Sequence, residues 1–315
     1  MPVSEPLLVV THTGAGRSDD PELEAALGVL RERCSVEVQA TDGPGELDGV
    51  LHRAGSRPII VAGGDGSIHA VIAALHRRHE LEGRVLGILP AGTGNDLARM
   101  LEIPLDLEEA ARAILDGEPK PTDLLVDEVG NVVVNNVHLG AGAEAARHGA
   151  VWKERLGSVG VGKVNLGRLG YPLGALMAAI DPPTLRVRVT VDDELVTDVD
   201  SPVLQVALGN GASVGGGTEL VPDANPFDGL IDVLVASPAG RLSQLSYAVR
   251  LPFGAHRTHG EVITVRGRTV SVSGSEFWCS ADGELYGPER HRTWRVEAGA
   301  YSMILPPGGE SGATA

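Results

Sequence analysis

Three glycine-rich stretches carry the residues best suited to chemistry. They are Thr11-His12-Thr13-Gly14-Ala15-Gly16, Gly63-Gly64-Asp65-Gly66-Ser67 and Pro90-Ala91-Gly92-Thr93-Gly94-Asn95-Asp96. Glycine lets backbone N–H groups approach an anionic oxygen, and the N-terminus of a following helix adds a favourable dipole. A bare carboxylate repels phosphate, so Asp65 and Asp96 need a reason to be there. Either a divalent cation lies between them and the phosphates, or one of them orders a helix start. One such turn would read as an ordinary capped βα turn. Three in register at one sheet edge favour nucleotide phosphate binding.

A second set of candidates lies late in the chain. Asp228-Gly229 follows the proline-bearing Leu220–Phe227 segment, and Asp282-Gly283-Glu284 follows an apolar run. Either Asp-Gly pair on its own reads as a hairpin turn. Two other patterns imitate catalytic motifs. Gly157–Lys163 spells GxxxxGK, but Val164 stands where a P-loop needs Ser or Thr. Gly211-Ala212-Ser213-Val214-Gly215 spells GxSxG, yet the glycine and proline that follow do not read as the helix a nucleophile elbow requires. A serine hydrolase using Ser213, Asp232 and His259 is therefore the weakest of the alternatives.

The elements that must position these groups change character along the chain. In the first third, short apolar runs (Leu7–Val10, Ser35–Gln39, Arg57–Ala62, Arg84–Leu89) alternate with helical patterns at Pro21–Arg33, Ile68–Arg78 and from Asp96. This alternation predicts an α/β domain with an open parallel sheet over residues 1–125. Each of the three glycine turns then follows a strand, and ligands of such sheets lie beyond the strands' carboxyl ends. From 126 to 299, strand patterns dominate: Leu124–Val129, Val132–Val137, Leu185–Val191, Val203–Leu208, Ile231–Val235, Val262–Val265 and Val270–Val272. Helices are expected only at Leu169–Ile180 and Leu242–Arg250. A β-rich, antiparallel second domain follows. The 315 residues suit two domains.

Together these motifs are specific. Gly63–Ser67 resembles the GGDG(T/S) signature of the diacylglycerol, sphingosine and NAD kinase superfamily. Pro90–Ala98, reading PAGTGNDLA, is similar to the second nucleotide loop of its lipid-kinase branch. Leu220–Gly229 resembles that branch's magnesium segment, and Ala281-Asp282-Gly283-Glu284 its late DGE. The matches occur in the family's order and span most of the chain.

The bacterial diacylglycerol kinase resemblance implies a two-domain enzyme with ATP in the cleft between its domains, and a C-terminal strand near 300–306 that rejoins the first. By the same resemblance His12, Thr13, Gly14, Ala15, Gly16, Thr41, Gly63, Gly64, Asp65, Gly66, Ser67, Ala70, Gly92, Thr93, Asn95 and Asp96 line the nucleotide. Asp228 holds magnesium by its side chain, with the backbone carbonyls of Asn225 and Leu230. Glu284 is the base, Asp282 can share that work, and Asp65 belongs to the catalytic set. Two positions depart from the family pattern: His12-Thr13 replaces Asn-Pro, and His69-Ala70 replaces Asn-Glu. An NAD kinase-like enzyme and a non-catalytic nucleotide- or lipid-binding module remain the alternatives.

Charge bounds the partners. With 26 basic against 42 acidic residues the net charge is −16, which argues against nucleic acid. Basic islands nevertheless exist. Arg147, Lys153, Arg155, Lys163, Arg168, Arg186 and Arg188 form one; Arg241, Arg250, Arg257, Arg266 and Arg268 form another. Such islands suit a lipid substrate reached by peripheral contact with an anionic membrane surface. Two cysteines, no basic leader and no spanning-length apolar run suggest a cytoplasmic protein at the inner face of the membrane. A homodimer is left open.

Overall fold

A computed structural model describes residues 6–12, 20–141, 143, 184–214, 218–250, 256 and 260–307. The chain divides into two compact units, Met1–Asp123 with Ala298–Ala315, and Leu124–Glu297. The expected helix at Leu169–Ile180 lies outside the described residues.

The first unit is built on four parallel strands, β1 (Leu7–His12), β2 (Val36–Thr41), β3 (Ile59–Gly63) and β4 (Val85–Pro90), in the order β4-β3-β1-β2. All five residues of β3 are buried, which explains its unbroken apolar run. The connections are α1 (Pro21–Arg31), α2 (Pro44–Ala54) and α3 (Asp65–Arg77), with α4 (Asp96–Met100) and α5 (Leu107–Asp116) after β4. In α1, Leu23, Ala26, Leu27 and Leu30 are buried, the i, i+3, i+4, i+7 stripe of an amphipathic helix. Asp20 caps its start by accepting the Glu22 N–H at 3.0 Å. Asp106 does the same for α5 through the Glu109 N–H at 2.9 Å. α1 packs on α5, and α2 on α3.

Register brings the glycine turns to one end of this sheet, for Thr11 lies opposite Ala62 and Gly63 opposite Pro90. The chain leaves β1 toward β2 on one side and leaves β3 toward β4 on the other. The β1/β3 junction is therefore the topological switch point, where open α/β sheets bind ligands.

The second unit is antiparallel and sandwich-like. Its strands are β6 (Val132–Val133), β7 (Asn136–Gly140), β8 (Val187–Val191), β9 (Glu194–Thr197), β10 (Gln205–Gly209), β11 (Ser213–Val214), β12 (Thr218–Glu219), β13 (Ile231–Ala236), β14 (Val262–Gly267) and β15 (Thr269–Ala281). A helix, α6 (Arg241–Arg250), interrupts them. Two long strands belong to both units: β5 (Glu118–Asp127) leaves the first, and β16 (Glu284–Leu305) returns to it. There Ser302 and Met303 run parallel to Val85 and Leu86.

The run order is β14-β13-β10-β7-β15-β16, and β8 also pairs with β15. Alternate residues Val137, Leu139, Val206, Leu208, Val233 and Val235 fill one core with Val187, Val189, Val270 and Val272. β15 reaches much further than the expected Val270–Val272. Its register shifts between Ser273 and Phe277, so the inward phase passes from Val270 and Val272 to Phe277, Cys279 and Ala281. Gly274 makes the shift, at φ 148°, and a Cβ there would lie 2.4 Å from the Arg186 carbonyl oxygen.

Two glycines therefore respond oppositely to alanine. Gly274→Ala is expected to lower stability in urea unfolding by about 2 kcal/mol or more. Gly28→Ala, in α1 with nothing within 4 Å of the new Cβ, is expected to raise it by up to ~1 kcal/mol.

Candidate functional site

In the first unit, Asp65 opens α3 and turns its carboxylate away from its own helix. Oδ2 accepts the Asp96 N–H at 3.1 Å and Oδ1 the Leu97 N–H at 3.0 Å. These are the first amides of α4, whose own cap residue gives them nothing. Asn95 sits in the left-handed region (φ 53°, ψ 42°), a conformation that asparagine tolerates well. Its side chain instead closes the loop on itself. Oδ1 accepts the Gly92 N–H at 3.0 Å, and Nδ2 donates to the carbonyls of Gly92 at 2.9 Å and Pro90 at 3.2 Å.

The second and third glycine turns touch through bare backbone. A Cβ on Gly64 would stand 2.9 Å from the Gly92 Cα, and one on Gly92 2.4 Å from the Gly64 Cα. The Gly64 cap offers α3 no side-chain hydrogen bond. An eleven-residue or longer helix such as α3, entered through glycine, presents backbone N–H groups and a positive dipole end. Of the two sequence readings of Asp65, the geometry displays the helix-ordering one.

Thr41 is buried, and its hydroxyl donates to the Thr11 carbonyl at 3.3 Å. His12 ends β1 opposite Thr41. Gly66, Thr93 and Ala70 are exposed, and Ser67 is half-buried. Thr13, Gly14, Ala15 and Gly16 lie outside the described residues. Thr11, which heads the first stretch but is not among the residues assigned to the nucleotide, has a buried Oγ1 with no hydrogen-bond partner among the described residues.

In the second unit, Asp282 and Gly283 form the two-residue turn joining β15 to β16, at φ 48° and φ 86°. Ala281 pairs with Glu284 across it. The Asp282 carboxylate accepts three backbone N–H groups, from Val134 at 2.7 Å, Asn135 at 2.8 Å and Asn136 at 3.2 Å. So engaged, it fastens the turn to the segment between β6 and β7, and it is a poor candidate to share the base's work. Glu284 is exposed, and its Oε2 accepts the Tyr286 hydroxyl at 2.9 Å. Sequence reasoning missed Tyr286, although an i, i+2 spacing in a strand puts both side chains on one face.

Asp228 occupies the turn before β13. Its Oδ1 accepts the Leu230 N–H at 3.1 Å and its Oδ2 pairs with Arg266. Asn225 accepts the Phe227 N–H at 3.2 Å through its side chain, which leaves its carbonyl role to the backbone. Arg266 also binds Asp232 at 3.0 Å. Burial nevertheless pushes the Asp232 carboxyl up to about 6, outweighing the guanidinium. The donors that the resemblance assigns here, the Asp228 carboxylate and the Asn225 and Leu230 carbonyls, are all oxygens, and Gly229 at φ 71° folds Asp228 over Leu230. That donor set fits a hard divalent cation. Among the described residues, no group of three or more His, Cys, Asp or Glu side chains forms a metal cluster.

The hydrolase alternative does not survive. Ser213 lies in β11, paired with Glu219 of β12, so no helix starts from it as an elbow requires. His259 lies outside the described residues, and Asp232 is tied to Arg266. Of the basic islands, some described members are paired with acids. Arg188 is bound by Asp198 at 3.1 Å, and Arg266 by two acids. Lys163, Arg168 and Arg257 lie outside the described residues.

With this geometry in view, the relatives are informative. Residues 6–126 match the diacylglycerol kinase catalytic domain, and residues 154–304 the YegS C-terminal NAD kinase beta sandwich-like domain. A crystal structure described as a diacylglycerol kinase from Bacillus anthracis str. Sterne superposes with a TM-score of 0.73. It is 23% identical, over 96% of this chain and 97% of that one. The architecture is thus that of the diacylglycerol kinase fold. A protein named probable lipid kinase YegS-like, from Xanthomonas campestris pv. campestris (strain 8004), is 30% identical over 313 residues, 92% of this chain and 93% of its own. One of the same name from Xanthomonas oryzae pv. oryzae (strain MAFF 311018) is 29% identical over 301 residues, 89% of each. The chain belongs to the YegS-like lipid kinase family.

Two substitutions probe these anchors. Asp65→Asn keeps one acceptor but sets an NH2 group against a backbone N–H, and is expected to cost about 1–2 kcal/mol in thermal unfolding. His138, on β7 beside the Asp282 turn, is fully buried, and burial pulls its imidazole down to about 4 from 6.5, with Asp282 opposing. Between those values the unfolded chain takes up a proton that the folded one refuses. Its contribution to stability is complete above about pH 6.5 and falls as the pH drops. In His138→Gln, the decline of Tm from pH 6.5 to 4.5 should be shallower than in wild type.

Proposed function

We propose that this enzyme transfers the γ-phosphoryl group of ATP to a hydroxyl on a lipid, with magnesium, and that diacylglycerol yielding phosphatidic acid is the simplest acceptor. The observation that carries the reading is the Asp65 clamp. It holds two glycine turns, bare of side chains where they meet, at the carboxyl ends of the neighbouring parallel strands β3 and β4. Phosphoryl transfer asks a protein mainly for positioning and charge stabilisation. A preassembled cradle of backbone amides supplies the first, because little rearrangement is left for the moment of reaction.

In this reading the amides at the start of α3 and the Gly92–Gly94 loop bind the phosphate oxygens. Asp65 positions that loop through α4 and does not touch the phosphates itself. Glu284 accepts the proton of the acceptor hydroxyl as its oxygen bonds to the γ-phosphorus, and the bond to the ADP oxygen breaks. Asp282 fastens the turn that presents Glu284. When bound, magnesium offsets the negative charge on the phosphate oxygens. Asp228, with the carbonyls of Asn225 and Leu230, would hold such an ion, and Arg266 would have to yield its place on Oδ2.

Peripheral attachment to an anionic surface belongs to the same proposal. Among the described residues no helix is long and apolar enough to cross a membrane. An apolar acceptor therefore has to be met at the bilayer surface, where each nearby basic residue contributes about 1 kcal/mol.

Incubating the protein with labelled ATP, magnesium and mixed lipid extract should give a phosphorylated lipid. Glu284→Gln should lose most of kcat while keeping Tm and nucleotide binding. Asp228→Ala should abolish the rise in Tm that magnesium gives wild type. Label reaching only water or a soluble acceptor would contradict the lipid assignment. Sedimentation with anionic vesicles should exceed that with zwitterionic ones and lose its advantage near 0.5 M salt, where the screening length falls below about 5 Å.

A further inference from the structure

Tyr286 is the second residue of β16 to share a face with Glu284. Its ring is half-buried against the core that holds Cys279, Ala281 and Trp294, while its hydroxyl reaches the exposed carboxylate. A glutamate on a strand end has three free side-chain torsions, and nothing else among the described hydrogen bonds restrains this one. The phenol therefore does for Glu284 what backbone amides do for Asp282. We propose that Tyr286 is a positioning residue for phosphoryl transfer, holding one oxygen of Glu284 so that the other faces the acceptor hydroxyl. This inference rests on the reading of Glu284 as the base.

Three features support it. The donor–acceptor distance of 2.9 Å is that of a sound hydrogen bond to a carboxylate. Burial, first, and then the Glu284 contact raise the Tyr286 phenol well above its usual range, with Asp282 and Cys279 acting in the same direction. The hydroxyl therefore stays protonated and keeps donating across any working pH. The ring packs against the core cluster that contains Cys279, Ala281 and Trp294, which anchors it. An anchored ring with a permanent donor costs little order at the moment of reaction.

The test compares Tyr286→Phe with wild type and with Glu284→Gln, using ATP, magnesium and the phosphorylated lipid as readout. Phenylalanine keeps the ring and loses only the hydroxyl, so Tm and the KM for ATP should stay unchanged. Loss of one hydrogen bond to a charged group predicts a fall in kcat of about tenfold. A merely structural tyrosine would instead lower Tm and leave the kcat of the folded fraction alone, and that result would overturn the proposal. If Glu284→Gln loses turnover but Tyr286→Phe matches wild type, the positioning role is wrong and the base assignment stands. If Glu284→Gln keeps turnover, the base assignment fails and the role of Tyr286 falls with it.

Discussion

A carboxylate set between two glycine-rich turns must be neutralised by a cation or satisfied by backbone donors. Asp65 is satisfied by donors. Its two oxygens take the first two amides of α4, which lie more than thirty residues away in the chain. Without it those amides would lack a cap, since Asn95 spends its side chain on the Gly92 turn. The close meeting of Gly64 and Gly92 is held by this link and by the Ala91 N–H, which donates to the Gly63 carbonyl at 3.1 Å. The geometry of this sheet edge thus follows from one charge and two missing Cβ atoms.

The second unit repeats the device with different parts. Asp282 belongs to a turn, and three amides of a neighbouring strand connection hold its carboxylate. Glu284 follows two residues later, and its carboxylate accepts the Tyr286 hydroxyl. One acid is thereby bound by backbone amides and the other by a side-chain hydroxyl. Environment thus separates two acids that an Asp-Gly-Glu string leaves alike.

Much of this was legible in the residues. Fully buried β3 announced itself as an apolar run, and the strand–helix alternation marked β1, β3 and β4. α2 was not legible. Gly43, Pro44, Gly45 and Gly49 give it the texture of a loop, yet Leu47, Val50, Leu51 and Ala54 are buried along one stripe. Asp106, the cap of α5, was passed over as well. The length of β15 was hidden by Gly274, since the register shift there breaks the alternation that marks a strand. The role of Asp65 was left undecided for a deeper reason. Its partners are backbone amides on another element, and a sequence does not show which amides a carboxylate will meet.

The most direct measurement is hydrogen exchange at the Asp96 and Leu97 amides, resolved by NMR in the absence of nucleotide. If Asp65 preassembles the site, both amides are protected in wild type, and Asp65→Ala releases them while protection in the β3 strand persists. Unprotected amides in the wild-type protein, gaining protection only when ATP and magnesium are added, would show that the ligand builds the cradle and would contradict this account.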